Sequence, residues 1–308
     1  MSAKSRAAAV SVASNTSLVL LKLAVGVLSG SVSILSEAIH SANDLLAAII
    51  AWFSVRTSDK AADADHPYGH GKIEGVSGAI EALLIVVAGI WIIVEAVKRI
   101  VHGGEVEHLG AGTAVMAVSV VVNILVSRHL FKVAKLEDSL ALEADAHHLS
   151  TDVLTSLGVA VGLAVVWGYR TWTGGSTALD IVDPIVAILV ALFILKIGAD
   201  LTRSAVGHLL DRRLPEAELE TIRGILRRHP NALEWHSLRT RKSGSQRHID
   251  VHVTMGGDAT LSASHAAARE IESNIRQALP SAHVVIHVDP LDALPPERRS
   301  AAAEKRTP

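Results

Sequence analysis

The chain has 308 residues, 49% of them apolar, and a formal net charge of −2 at pH 7. This near-neutral charge, without a basic cluster, argues against a nucleic-acid partner. The absence of cysteine excludes disulfides and leaves histidine and carboxylates as the metal ligands on offer. A mean hydropathy of +0.36 and long apolar runs instead indicate a polytopic protein in a lipid bilayer.

Six runs approach the roughly 20 residues that a membrane-spanning helix needs. They cover about 10–30, 33–56, 76–100, 110–133, 147–168 and 178–203. A cleaved signal peptide is the competing interpretation of the first run. It is disfavoured because the run continues through Leu28 without a cleavage-type break.

The predicted organisation is a six-helix transmembrane domain over 1–211 and a cytoplasmic domain over 212–291. Residues 292–308 combine proline, charge and alanine without a period, which predicts a disordered tail. Basic residues set topology through the short flanks. The flanks predicted to be cytoplasmic hold most of them: Lys4, Arg6, Arg56, Lys60, Lys72, Arg128, Lys132, Lys135, Arg203, Arg212 and Arg213. Since the opposite flanks hold only Lys98, Arg99 and Arg170, both termini are expected in the cytoplasm.

Two predicted spans share a pair of metal-ligand residue types four positions apart. His40 and Asp44 lie in HSAND of the second span, and His148 and Asp152 lie in HHLSTD of the fifth. Positions i and i+4 project from the same face of a helix, so each pair forms half a site. Two imidazoles and two carboxylates supply the four ligands of a tetrahedral zinc ion. Without a thiolate, iron(II), cobalt, manganese and cadmium remain as competitors.

Isolated polar residues in membrane helices often only hydrogen-bond to neighbouring helices, which is the preferred interpretation for Asn15, Ser41, Asn43 and Asn123. A repeated ligand pair at membrane depth instead favours an ion pathway. Glu37, about one turn before His40, is either a proton relay or a polar contact.

The loop ADADHPYGHGKIE between the second and third spans offers Asp63, His66 and His70 as ligands. Gly69 and Gly71 allow its backbone to turn tightly. Three such ligands within eight residues suit an open metal site, in which Asp65 could replace Asp63. The alternative is a solvated polar loop.

The C-terminal domain reads as an αββαβ unit. Its successive elements are PEAELETIRGILRRH, WHSLRTRKS, RHIDVHVTM, SASHAAAREIESNIRQAL and HVVIHVD. Strand alternation places His248, Asp250 and His252 on one face.

The motifs HSAND, HHLSTD, DADHPYGHGKIE and RTRKSGSQRHIDVHV together resemble those of the cation diffusion facilitator family, as a zinc/iron-transporter-like bacterial member, over nearly the whole chain. The resemblance implies a homodimeric secondary transporter rather than an enzyme. Such a protein moves divalent metal out of the cytoplasm in exchange for protons that flow inward. The metal passes through a site between the second and fifth spans. It also implies a bacterial cytoplasmic membrane and a metallochaperone-like α+β fold for the C-terminal domain.

The resemblance also assigns residues. It implies a second zinc at the loop, and an ion pair of Lys72 and Asp211 that ties the dimer together, although each could equally be an unpaired flank charge. It maps a C-terminal zinc site onto His236, His252, His265, His287 and Asp289, and leaves His248 and His283 to a solvated face. Some bacterial members have aspartate in place of His40 and use metals more broadly, so histidine implies the more zinc-selective branch.

Protons and metal compete for the same imidazole and carboxylate atoms, which together with the resemblance predicts a Zn²⁺/H⁺ antiporter working by alternating access. An intramembrane zinc protease is disfavoured because the chain contains no His-Glu-x-x-His string. A membrane-anchored metal sensor or scaffold that does not transport remains the alternative. The four-ligand set argues against it, since an anchor does not need those residues.

Overall fold

The computed structural model of the chain describes residues 2–29, 32–102, 112–173 and 182–293. These residues form two compact units, and the first ends at Val206 while the second begins at Gly207. Each unit is described by itself below.

The first unit is built from long helices. Their bounds are α1 (Ala3–Ser29), α2 (Val32–Ser58), α3 (Ile73–His102), α4 (Gly112–Glu137), α5 (Leu140–Thr173) and α6 (Val182–Leu209). Among the described residues, α1, α2, α3, α4 and α6 each contain a segment with the length and hydropathy of a membrane span. The predicted span 147–168 lies within α5, whose 34 residues extend about 51 Å at 1.5 Å per residue.

Apolar side chains cover both the inside and the outside of this unit, as expected of helices that face lipid. Large side chains such as Leu28 and Trp91 are exposed, whereas the small Ala47, Ala48 and Ala51 are fully buried. Small residues let membrane helices approach closely. At Gly26 of α1 an added Cβ would lie 2.9 Å from Leu35 Cδ2 of α2.

Helix α5 lies between two apolar clusters. Leu142 and Leu149 pack in a cluster with residues of α1, α2 and α4. Leu140 and Ala144 pack in another with residues of α3 and α6. Because α5 is packed on both sides, its residue Asp145 is fully buried in the helical bundle.

A buried ionic network joins the ends of several helices. Glu74 at the start of α3 is fully buried. It accepts from Lys4 Nζ at 3.0 Å, from Ser58 Oγ at 2.7 Å and from Ser139 Oγ at 2.7 Å. Lys4 Nζ also lies 2.8 Å from Asp59 Oδ1. The network links the beginnings of α1, α3 and α5 to the end of α2.

The second unit has the predicted αββαβ order. Its elements are α7 (Glu216–Arg228), β1 (Glu234–Ser243), β2 (Gln246–Met255), α8 (Leu261–Ala278) and β3 (Ala282–Pro290). In the sheet, β2 lies between β1, which is antiparallel to it, and β3, which is parallel. Gly244, at φ +57°, begins the tight turn between β1 and β2.

Both helices of this unit pack on one face of the sheet. Ile222 and Leu226 of α7 and Ile271 and Ile275 of α8 share a buried core with strand residues that include Val251. This arrangement leaves the polar positions of the strands on the opposite face. A bulge between His236 and Arg239 interrupts the pairing of β1 with β2, and Ser237 there has a φ of +52°.

A short 3₁₀ helix, Leu291–Ala293, follows β3. The first two residues of the predicted tail 292–308 therefore lie in this turn. The remainder, 294–308, lies outside the described residues.

Candidate metal-binding sites

The four ligands predicted within the membrane domain come together where α2 meets α5. Ligand atoms of His40, Asp44 and Asp152 all lie within 4.8 Å of one another. His148 Nε2 lies 3.4 Å from Asp44 Oδ1. The one-turn spacing on each helix thus produces a mixed imidazole and carboxylate group, which we call the membrane site.

The carboxylates of the membrane site are at least half-buried, and one of their oxygens lacks a hydrogen-bond partner among the described residues. Asp44 is buried and Asp152 is half-buried, and Asp152 Oδ2 has no hydrogen-bond partner among the described residues. Buried carboxylate oxygens normally bind a donor or a metal. The set offers two nitrogens and two carboxylates, the donor types that zinc accepts.

A buried lysine lies beside this site. Lys22 Nζ of α1 donates to Ser41 Oγ of α2 at 2.8 Å, and both side chains are buried. Ser41 thus makes the interhelical hydrogen bond predicted for it. Asn15 instead bonds within its own helix, to the carbonyl of Ser11 at 3.1 Å. The side chain of Glu37 lies outside the described residues.

A second group lies in the loop between α2 and α3. Asp63, His66 and His70 have ligand atoms within 4.8 Å of one another. Asp63 Oδ1 is 3.3 Å from His66 Nδ1, and Asp63 Oδ2 is 3.4 Å from His70 Nε2. We call this group the loop site. Gly69, at φ +78°, donates its N–H to the His66 carbonyl at 2.9 Å and closes the turn.

Asp63 rather than Asp65 is the acid of the loop site. Its Oδ1 accepts the backbone N–H groups of His66 at 2.7 Å and of Asp65 at 3.1 Å. The His66 amide bond is the main reason that the pKa of the Asp63 carboxyl lies below its ordinary value. Asp63 therefore stays ionised at pH values where carboxylates begin to protonate.

A third group, the sheet site, lies on the polar face of the second unit. Neighbouring strands align His236 with His252, and His252 with His287. Asp289 Oδ2 lies 3.0 Å from His252 Nδ1 and 3.6 Å from His236 Nε2. Asp289 Oδ1 lies 3.2 Å from His287 Nε2. His265 lies on the exposed face of α8 and is not a member of this group.

The remaining histidines of the sheet form a separate pair. The rings of His248 and His283 are 5.8 Å apart and nearly perpendicular. His283 is exposed, whereas His248 is half-buried. Burial and the neighbouring Arg241 lower the pKa of His248, which favours its neutral form.

The predicted pair of Lys72 and Asp211 is divided between the two units and stays a prediction. Within the second unit, Asp211 Oδ1 lies 3.5 Å from Arg241 Nη1. Asp211 also has a φ of +54°, an uncommon conformation for a residue with a side chain.

Among the described residues, sequence reasoning missed four buried charged side chains of the membrane domain, those of Lys22, Glu74, Glu81 and Asp145. The available signal was a lysine or an acid inside an otherwise apolar helical run.

Comparison with known proteins gives consistent matches along both units. Residues 8–210 match the cation efflux transmembrane domain, and residues 214–291 match the cytoplasmic domain of cation efflux proteins. An uncharacterized transporter of Synechocystis is 33% identical over 273 residues, 88% of this chain and 86% of the relative. The cation-efflux pump FieF of Salmonella typhimurium is 30% identical over 295 residues, 96% of this chain and 95% of the pump.

Among solved structures, a zinc-form chain of CzrB, a protein proposed to transport zinc, is 33% identical. The match covers 28% of this chain and 98% of that chain, with a TM-score of 0.26. The two family matches and the full-length relatives agree with the helical membrane domain and the αββαβ unit. The chain belongs to the cation diffusion facilitator family of divalent-cation efflux transporters, which are integral membrane proteins and not enzymes.

Proposed function

We propose that this chain is a Zn²⁺/H⁺ antiporter that exports zinc from the cytoplasm by alternating access. The membrane site would carry the ion, with His40, Asp44, His148 and Asp152 as ligands. The observation that carries the proposal is the convergence of these side chains where α2 meets α5, with Asp44 buried and His40 exposed. Ionisable groups in such a place normally serve an ion pathway.

The ligand chemistry favours zinc among the divalent metals. Zinc takes four nitrogen and oxygen ligands in tetrahedral sites and accepts imidazole readily. The relative FieF is described only as a cation-efflux pump, so the preference for zinc rests on the ligands. Iron(II), cadmium, cobalt and manganese are the competing cargoes, because the same donors bind them with less preference.

Proton exchange is a consequence of the same donors. Zinc binds neutral imidazole and ionised carboxylate, so it displaces protons from the atoms that it binds. The 3.4 Å approach of His148 Nε2 to Asp44 Oδ1 suits a shared proton at the place where zinc would sit. A helix movement that exposes the site to the other side would then exchange zinc for protons.

The basic flanks support cytoplasmic N- and C-termini, and the bacterial relatives support the inner membrane. In this orientation the loop site faces the cytoplasm and would bind zinc on its way to the membrane site. The domain match of residues 214–291 supports a homodimer in which the second unit joins two copies. Zinc at the sheet site would then couple the cytoplasmic zinc level to transport, with His265 as a ligand brought by the dimer.

Uptake of zinc by liposomes that contain the purified chain tests the proposal. We expect zinc to accumulate in the lumen with the wild-type chain and with Asn123→Ser, a control on α4. We expect no accumulation with Asp44→Asn, which keeps the shape of the side chain but removes its charge. If the wild-type chain binds zinc but never moves it across the bilayer, the protein is a metal sensor or scaffold instead.

A further inference from the structure

Besides Glu74, two acidic side chains outside the three ligand groups are fully buried among the described residues of the membrane domain, Glu81 of α3 and Asp145 of α5. Their chain neighbours Ala82 and Ala144 belong to one apolar cluster, in which α3 packs against α5 and α6. The two carboxylates are within electrostatic range of each other. They are therefore buried near each other where α3 packs against α5.

Most of the oxygens of this pair lack hydrogen bonds. Glu81 Oε1 accepts from Ser77 Oγ at 3.3 Å. Among the described residues, neither Glu81 Oε2 nor either Asp145 oxygen has a hydrogen-bond partner. The buried hydroxyl of Ser11 in α1 lies near Asp145 without meeting the geometry of a hydrogen bond. Two unpaired carboxylate anions in such surroundings are strongly disfavoured, so the pair must bind a metal cation or a proton.

The number of neighbouring ligands decides whether the pair binds a metal cation or a proton. A bound zinc ion takes four ligands, and larger divalent cations take six or more. Within the described part of the chain, the groups of three or more candidate ligands include neither Glu81 nor Asp145. A proton needs only one carboxylate oxygen, and two neighbouring carboxylates commonly share one because they cannot easily both ionise.

We propose that Glu81 and Asp145 form a proton-binding pair that carries one proton of the exchange cycle. This inference rests on the proposed antiport. Asp145 precedes His148 by three residues, which places both on one face of α5. His148 is within electrostatic range of both acids.

The surroundings give the pair one charged neighbour that responds to zinc. Within the described residues, His148 is the titratable group that acts electrostatically on both acids of the pair. Helix α1 contributes the neutral Ser11 hydroxyl, and α6 contributes apolar residues such as Ile194 and Leu201. A doubly charged ion at the membrane site repels a nearby proton. One proton therefore leaves the pair as zinc arrives, and one returns when zinc leaves.

The transport test compares Glu81→Gln and Asp145→Asn with the wild type in liposomes. Asp200→Asn is the matched control, because Asp200 is an exposed acid on α6 paired with Lys196 at 2.8 Å. We expect both pair variants to move fewer protons per zinc ion than the wild type and the control. Exchange of zinc for labelled zinc should persist, since it needs no net proton movement. An unchanged proton-to-zinc ratio in variants that still transport would overturn the proposal.

Infrared spectroscopy of the full chain in lipid nanodiscs tests proton binding without transport. At neutral pH the wild type should show the carbonyl stretch of a protonated carboxylic acid. The band should weaken in Glu81→Gln and Asp145→Asn but not in Asp200→Asn, with all variants eluting as the wild type does in size-exclusion chromatography. Absence of the band from the wild type would reject the proton-binding pair. If the wild type moves no zinc but keeps the band, the antiport fails and the proton-binding pair stands.

Discussion

His148 Nε2 lies 3.4 Å from Asp44 Oδ1 and joins α5 to α2 through two candidate zinc ligands. A metal held by both residues would bind to two different helices at once. Any change in the packing of α5 against α2 would then alter the ligand geometry. The contact therefore links metal binding to helix movement, which is what alternating access requires.

The Asp152→Ala variant should lose zinc transport while it keeps the fold. Asp152 has a buried oxygen, Oδ2, for which the described residues offer no hydrogen-bond partner. Loss of residues that only support metal ligands costs about 10–100-fold in affinity or activity, so loss of a ligand should cost more. Zinc flux into liposomes measures the effect, and Asp200→Ala is the control. Wild-type flux through Asp152→Ala would remove this residue from the ligand set.

Replacement of His40 by aspartate should broaden the metals transported towards cadmium or iron. The substitution exchanges an imidazole for a harder, anionic oxygen ligand and so weakens the preference for zinc. Competition between metals during uptake measures the order of preference. An order identical to that of the wild type would argue that His40 does not contact the ion.

The helical spacing predicted that His40, Asp44, His148 and Asp152 would lie together, because period and residue type are both visible in a sequence. That these residues bind a metal stays a prediction. The αββαβ order was likewise confirmed, with element ends within one residue of those expected. Lys22, Glu81 and Asp145 were missed because a charge in an apolar run can face either the bundle interior or its outside. Only packing between helices decides this. The bulge at Ser237 brings His236 opposite His252. It depends on how the strands pair, so the residues around Ser237 in the sequence do not predict it.

The Glu74→Ala variant should unfold more easily than the wild type. It would leave Lys4, which is almost fully buried, with one acid fewer, and would remove the acceptor of Ser139. Removal of one partner of a buried ion pair lowers the free energy of unfolding by about 3–5 kcal/mol. Thermal unfolding in detergent measures the change, with Glu74→Gln as the milder substitution. Equal unfolding temperatures for Glu74→Ala and the wild type would contradict a structural role for the network.

Acidification should weaken the second unit through His248. Because its pKa in the folded chain lies below the ordinary value of 6.5, the unfolded chain binds more protons between those two values. The stability contributed by neutral His248 is thus complete above 6.5 and is lost as the pH falls towards the folded pKa. Hydrogen exchange of the β2 amides in the full chain measures this loss. His248→Gln should reduce its pH dependence, and an unchanged dependence would assign it to other groups.

An inward proton gradient should drive zinc out of the cytoplasm if His40 and His148 exchange metal for protons. Free imidazole gains its proton at about pH 6.5, so acid on the outer side should weaken zinc binding where the ion is released. Inside-out vesicles with a zinc-sensitive dye in the lumen and an imposed pH step make the test. Lumenal acidification should accelerate zinc accumulation, and a proton ionophore should remove the acceleration. If lumenal acid neither speeds zinc accumulation nor is consumed by it, the chain is a facilitated-diffusion carrier whose histidines only bind metal.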